Sequence, residues 1–153
     1  MQRWVPTVLV GFLLAGGLAL QTAEAEQSLY ERLGGQPAME AVANGLVDRI
    51  LADKRVNMWF AHAAASTANA NAYKAKLAIF MCAGLGGPCK YTGLDMVAAH
   101  KGRGVTSEAF DAVAEDLVAQ LEQLNVPEKE KHEVMKIIGS LKPSIVQSGS
   151  ARN

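Results

Sequence analysis

The side chains here with the widest chemical reach are few: His62, His100 and His132, with Cys82 and Cys89. A neutral imidazole presents one ring nitrogen as a metal ligand or proton acceptor. A lone histidine is ordinarily a surface residue or a satisfied core residue, so its neighbours must argue for more. Around His100 they do, in the run Leu85-Gly86-Gly87-Pro88-Cys89-Lys90-Tyr91-Thr92-Gly93-Leu94-Asp95-Met96-Val97-Ala98-Ala99-His100-Lys101-Gly102-Arg103-Gly104-Val105. The common catalytic templates are missing. There is no Cys-x-x-Cys pair, no glycine-rich phosphate loop behind a strand and no Gly-x-Ser-x-Gly.

The elements that must position His100 read as helices. Ser28-Leu29-Tyr30-Glu31 has the form of a capping box, which satisfies orphan amides at a helix start, and Gly34-Gly35 stops that helix early. Pro37 suits the first turn of a second helix, where Met39, Val42, Ala43, Leu46, Val47, Ile50 and Leu51 recur on one face. The small, polar Ala63–Asn71 stretch reads as a weakly structured connector. A helix over about Ala72–Gly84 follows, with Tyr73, Leu77, Phe80 and Met81 on one face and glycines at its end. Asp95 to His100 is expected to form a short helical turn. Thr106 can cap a helix carrying Phe110, Val113, Ala114, Leu117, Val118, Leu121 and Leu124, and Pro127 can open a last one with Val134, Ile137, Ile138 and Leu141. No period-two strand and no internal repeat is visible, so the fold class is all-α, with a frayed tail from about Ser148.

The 153 residues suffice for one domain with a sizeable core. The first 25 are expected to lie outside it. Arg3, an apolar run from Val8 to Leu20, and Ala23-Glu24-Ala25 have the layout of a secretory signal peptide with its cleavage site. The run falls short of the roughly 20 apolar residues of a membrane span, and an uncleaved anchor is the competing reading. Cleavage removes only Arg3 and Glu24 as charges, so the chain over residues 26–147 and its tail stays balanced, with no basic footprint for nucleic acid or an anionic membrane. Disulfides persist in oxidising compartments, so in an exported chain Cys82 and Cys89 are either a bonded pair across the Gly84–Pro88 turn or two idle thiols.

The segment around His100 resembles the group I truncated globins, in which a Gly-Gly-Pro, a Tyr-Thr-Gly, a Met and a His-x-Gly-x-Gly follow one another at these spacings. The likeness extends to Leu29–Gly35, Leu51-Ala52-Asp53, Trp59-Phe60, Phe110 and Val126-Pro127, nearly all of residues 28–146. It implies a two-over-two helical sandwich around one haem, with His100 as proximal iron ligand, bound through Nε2 and donating from Nδ1 to a nearby carbonyl. No Cys-x-x-Cys-His occurs, so the implied cofactor is haem b, held non-covalently. Carried over by position, Phe60 packs on the haem face. Phe80, Met81, Met96, Val105, Phe110 and Val113 line the pocket, unless they are plain core. Arg103 pairs with a propionate or is merely solvated.

The distal side departs from the family. Val47 stands where relatives carry a tyrosine that hydrogen-bonds the gas, and Leu77 where many carry a glutamine, which leaves Tyr73 as the nearest polar candidate. Lys76 lies where some relatives place a sixth iron ligand, while His62 and His132 have no assigned role. The expected function is reversible binding of oxygen, nitric oxide or carbon monoxide. The alternatives are nitric oxide dioxygenation, which needs an unknown reductase, and redox work by a six-coordinate haem. The expected location is periplasmic or otherwise extracytoplasmic.

Overall fold

The computed structural model describes residues 26–147; the expected signal peptide and the tail from Ser148 lie outside them. All regular structure among the described residues is helical. In the capping box of α1 (Leu29–Arg32), Ser28 Oγ accepts from the Glu31 amide at 3.2 Å and Glu31 Oε2 accepts from the Ser28 amide at 2.9 Å. Gly34 and Gly35, with φ of 106° and 70°, turn the chain through a conformation costly for other residues and start α2 (Gly35–Ala52).

A 3₁₀ turn (Asn57–Phe60) and α3 (Ala61–Ala64) lead to α4 (Thr67–Gly84). The expected connector over Ala63–Asn71 is therefore mostly helical. Ser66 is the reason, since its Oγ caps the Asn69 amide at 3.1 Å and moves the start of α4 about a turn earlier than the apolar pattern suggests. Next come α5 (Met96–His100), α6 (Ser107–Gln123) capped by Thr106, and α7 (Glu128–Ile145), which runs through Pro143.

Two helix pairs make the body. In the first, α2 lies on α4; in the second, α6 and α7 are antiparallel, as the pairs Lys131–Glu122 (3.0 Å) and Lys142–Asp111 (2.6 Å) require. The expected stripe of α2 is buried from Met39 to Ile50, and each Met, Val, Leu or Ile side chain in it that is removed from water stabilises by about 1.5–3 kcal/mol. Helix α2 also crosses α6, at a polar point. Gln120 is buried against Gly45, where any side chain would collide with it. Its Oε1 accepts from Arg49 Nε at 3.2 Å and its Nε2 donates to the Ala41 carbonyl at 3.4 Å. No helix among the described residues is long and apolar enough to cross a membrane.

Candidate functional site

Asp95 starts α5, its Oδ1 accepting from the Ala98 amide at 2.8 Å, and one turn of helix brings His100 above Met96. His100 Nδ1 lies 2.8 Å from the Met96 carbonyl oxygen. A carbonyl can only accept, so Nδ1 carries the proton and a neutral ring keeps its lone pair on Nε2. The half-buried imidazole is thus oriented and in the tautomer that a metal requires.

Loop 101–105 is tied on two sides. Trp59 Nε1 donates to the Arg103 carbonyl at 3.1 Å, and Gln147 bonds Gly104, His100 and Val105. Neither Trp59 nor Gln147 stood out as a site residue in the sequence. Trp59 had a signal, its place in the Trp-Phe pair; Gln147 had none.

Helix α4 turns two faces to the protein. Ala78, Met81 and Cys82 are buried in the main core, while Tyr73, Leu77 and Phe80 are half-buried on the neighbouring face. Phe60 meets Tyr73 edge-on with ring centroids 5.7 Å apart, and Phe80 meets Tyr91 in the same way at 5.3 Å. Burial pushes the Tyr73 hydroxyl above its ordinary pKa, and the charge of Arg103 works against that rise. Tyr73 therefore stays a neutral hydrogen-bond donor, and Arg103, though exposed, is close enough for its field to reach the same space.

Of the remaining expected residues, Val105 and Phe110 are buried, with Lys142 Nζ 5.4 Å from the Phe110 ring centroid. Val113 and Met96 are half-buried, and Val47 is fully buried on α2. Lys76, His62 and His132 are exposed. Cys82 and Cys89 are bonded, their Cα atoms 5.7 Å apart, and the link fastens the end of α4 to the loop leading to α5.

Among the described residues no cluster of three or more His, Cys, Asp or Glu side chains is placed to hold a metal ion. A metal at His100 therefore has to bring most of its own ligands. One oriented imidazole that leaves Nε2 free fits an iron already held in a porphyrin.

A family model described as bacterial-like globin matches residues 28–147. The chain is similar to a group 1 truncated hemoglobin of Mycolicibacterium paratuberculosis, 37% identical over 118 residues, which cover 77% of this chain and 83% of that protein. It is also similar to a group 1 truncated hemoglobin of a Synechocystis species, 38% identical over 117 residues, covering 74% and 90%. The fold matches the crystal structure of a truncated hemoglobin from Tetrahymena pyriformis in its Fe(III) form, with a TM-score of 0.70 and 34% identity over 80% of this chain and all of that one. A Synechococcus 2/2 hemoglobin, solved in the cyanomet state with covalently attached haem, gives 0.66 and 36% over 76% of this chain and 94% of that one.

Proposed function

The chain belongs to the bacterial-like globins as a group 1 truncated hemoglobin, and on that premise we propose that His100 is the proximal ligand of its haem iron. The protein carries haem b non-covalently and binds diatomic gases. When bound, the haem would supply an iron centre able to take up a diatomic gas. The residues decide how it is held and how the gas is treated. The single observation that carries the assignment is the bond from His100 Nδ1 to the Met96 carbonyl, which leaves Nε2 as the ligating atom.

Phe60, Leu77 and Phe80, with Val105, Phe110 and Val113, give the macrocycle apolar and aromatic surface and exclude water from it. Met96 turns its carbonyl to the imidazole, and Arg103 offers a guanidinium to a propionate. On the gas side the positions held by Val47 and Leu77 offer no donor, so Tyr73 is the neutral group that can hydrogen-bond a polarised ligand.

This arrangement supports reversible gas binding with ready release, closer to carriage than to turnover. Nitric oxide dioxygenation is the second reading, and it needs both a retained oxygen molecule and an external reductase. An extracytoplasmic location is supported by the layout of residues 1–25 and by the Cys82–Cys89 bond, since disulfides persist in oxidising compartments.

Absorption spectra of the purified protein, ferric and ferrous, with and without carbon monoxide, test the reading. A five-coordinate ferrous form that takes up carbon monoxide is expected. A six-coordinate ferric form that Lys76→Ala converts to high spin would instead favour redox work.

A further inference from the structure

We propose that Gln147 is a positioning residue for the iron ligand, holding the loop that carries His100 to the end of α7. This rests on the reading of His100 as the proximal ligand. The reason lies in how little else fixes that histidine. Its own helix, α5, is five residues long, far below the length at which a helix persists unaided. The chain then leaves through Gly102 and Gly104, with φ of 75° and 64°, residues that have no Cβ to restrict the backbone. The Met96 carbonyl sets the ring within α5, but the backbone that carries the ring is held against the rest of the protein by bonds from outside the element.

Gln147 supplies three. Its Nε2 donates to the His100 carbonyl at 2.9 Å, its Oε1 accepts from the Gly104 amide at 2.8 Å, and its own backbone amide donates to the Val105 carbonyl at 3.0 Å. The partners fix the amide's orientation, because Gly104 N–H can only donate and the His100 carbonyl can only accept. One half-buried side chain therefore bridges the residue that binds iron and the glycine that closes the loop. A fourth bond, from the other side, runs from Trp59 Nε1 to the Arg103 carbonyl and completes the frame. The planar amide serves a donor and an acceptor at once, which a carboxylate in its place would not do.

The test uses the full chain with Gln147→Ala and Gln147→Glu. Glutamate keeps an acceptor for Gly104 but has no N–H for the His100 carbonyl. In the haem-free protein the Gly104 amide should exchange its hydrogen about tenfold faster in Gln147→Ala and near the wild-type rate in Gln147→Glu, for the loss of one hydrogen bond. In the loaded protein both variants should shift or broaden the ferrous histidine–iron stretching band and release haem to excess apomyoglobin about tenfold faster. If Gln147→Ala fails to fold, Gln147→Glu carries the decision alone. An unchanged stretching band and unchanged haem release in the folded variants overturn the proposal. A histidine–iron band that survives His100→Ala overturns the ligand assignment beneath it, and that result is recognisable because it does not depend on Gln147.

Discussion

The two walls of the site are held by opposite means. The wall formed by α4 belongs to an 18-residue helix whose buried face, Ala78, Met81 and Cys82, is anchored by packing on α2 and by the Cys82–Cys89 link. The wall formed by α5 belongs to a five-residue helix with Leu94 63% and Val97 61% exposed nearby, and its fixed points are directional polar bonds from Asp95, Trp59 and Gln147. Packing tolerates small shifts; hydrogen bonds set angles. A side that has to present one nitrogen in one direction is built from the second kind of contact, and a side that has to shape an apolar space is built from the first.

The hardest blow to that contrast is removal of the proposed iron ligand. His100→Ala should cost more haem affinity than the roughly 10–100-fold typical of losing an outer-shell partner. His62→Ala and His132→Ala should leave affinity and the stretching band unchanged, since both side chains are exposed. A normal histidine–iron band in His100→Ala would refute the assignment.

Next in size is the α4 wall. Replacing both Cys82 and Cys89 with serine removes a link across a separation of seven residues, for which chain-entropy reasoning expects a loss of about 2–3 kcal/mol. Chemical unfolding should report that loss while the histidine–iron band stays in place. Movement of the band would mean that the two walls are not held independently.

A smaller effect belongs to Tyr73. If its hydroxyl donates to the gas, Tyr73→Phe removes a hydrogen bond worth about 0.5–1.5 kcal/mol and should speed oxygen release by up to about tenfold. Carbon monoxide is the poorer acceptor and should be nearly unaffected. Equal oxygen release from both proteins would show an apolar gas side with the hydroxyl turned to water.

The least change is expected from pH. Burial raises the Tyr73 pKa above its ordinary value near 10, so the folded state holds this proton more tightly than the unfolded one. Its contribution to stability is then complete below about pH 10 and is lost as pH rises through the folded pKa. Oxygen release rates should be flat from neutral pH to about pH 9, measured by stopped flow against Tyr73→Phe. A rise in release near neutral pH, absent in Tyr73→Phe, would show that the hydroxyl titrates early.

Much of the fold was legible because its signals act over three or four residues. The capping box at Ser28 and Glu31, the Thr106 cap, the buried stripe of α2 and the glycines after α4 are all local, and each is found where its spacing indicates. Thr67–Asn71 misled because a run of small and polar residues has no apolar period, yet one Ser66 hydroxyl suffices to start the helix there. On α6 the period was right but its edges were not: Leu124 is 38% exposed, while Gln120 is buried.

By itself, the sequence determined the helices, their apolar faces and the place of His100 in a run of residues shared with a known family. Only the tertiary structure decided what holds that histidine and what fills the helix crossing. Gln147 reaches His100 across 47 positions, and Gln120 reaches Arg49 and Ala41 across 71 and 79. A glutamine in a sequence reads as a solvated residue, because its amide is satisfied by water as readily as by protein. Its partners become definite once folding has excluded the water and brought distant backbone groups within bonding distance, and then an unpaired amide would cost more than the bonds it makes.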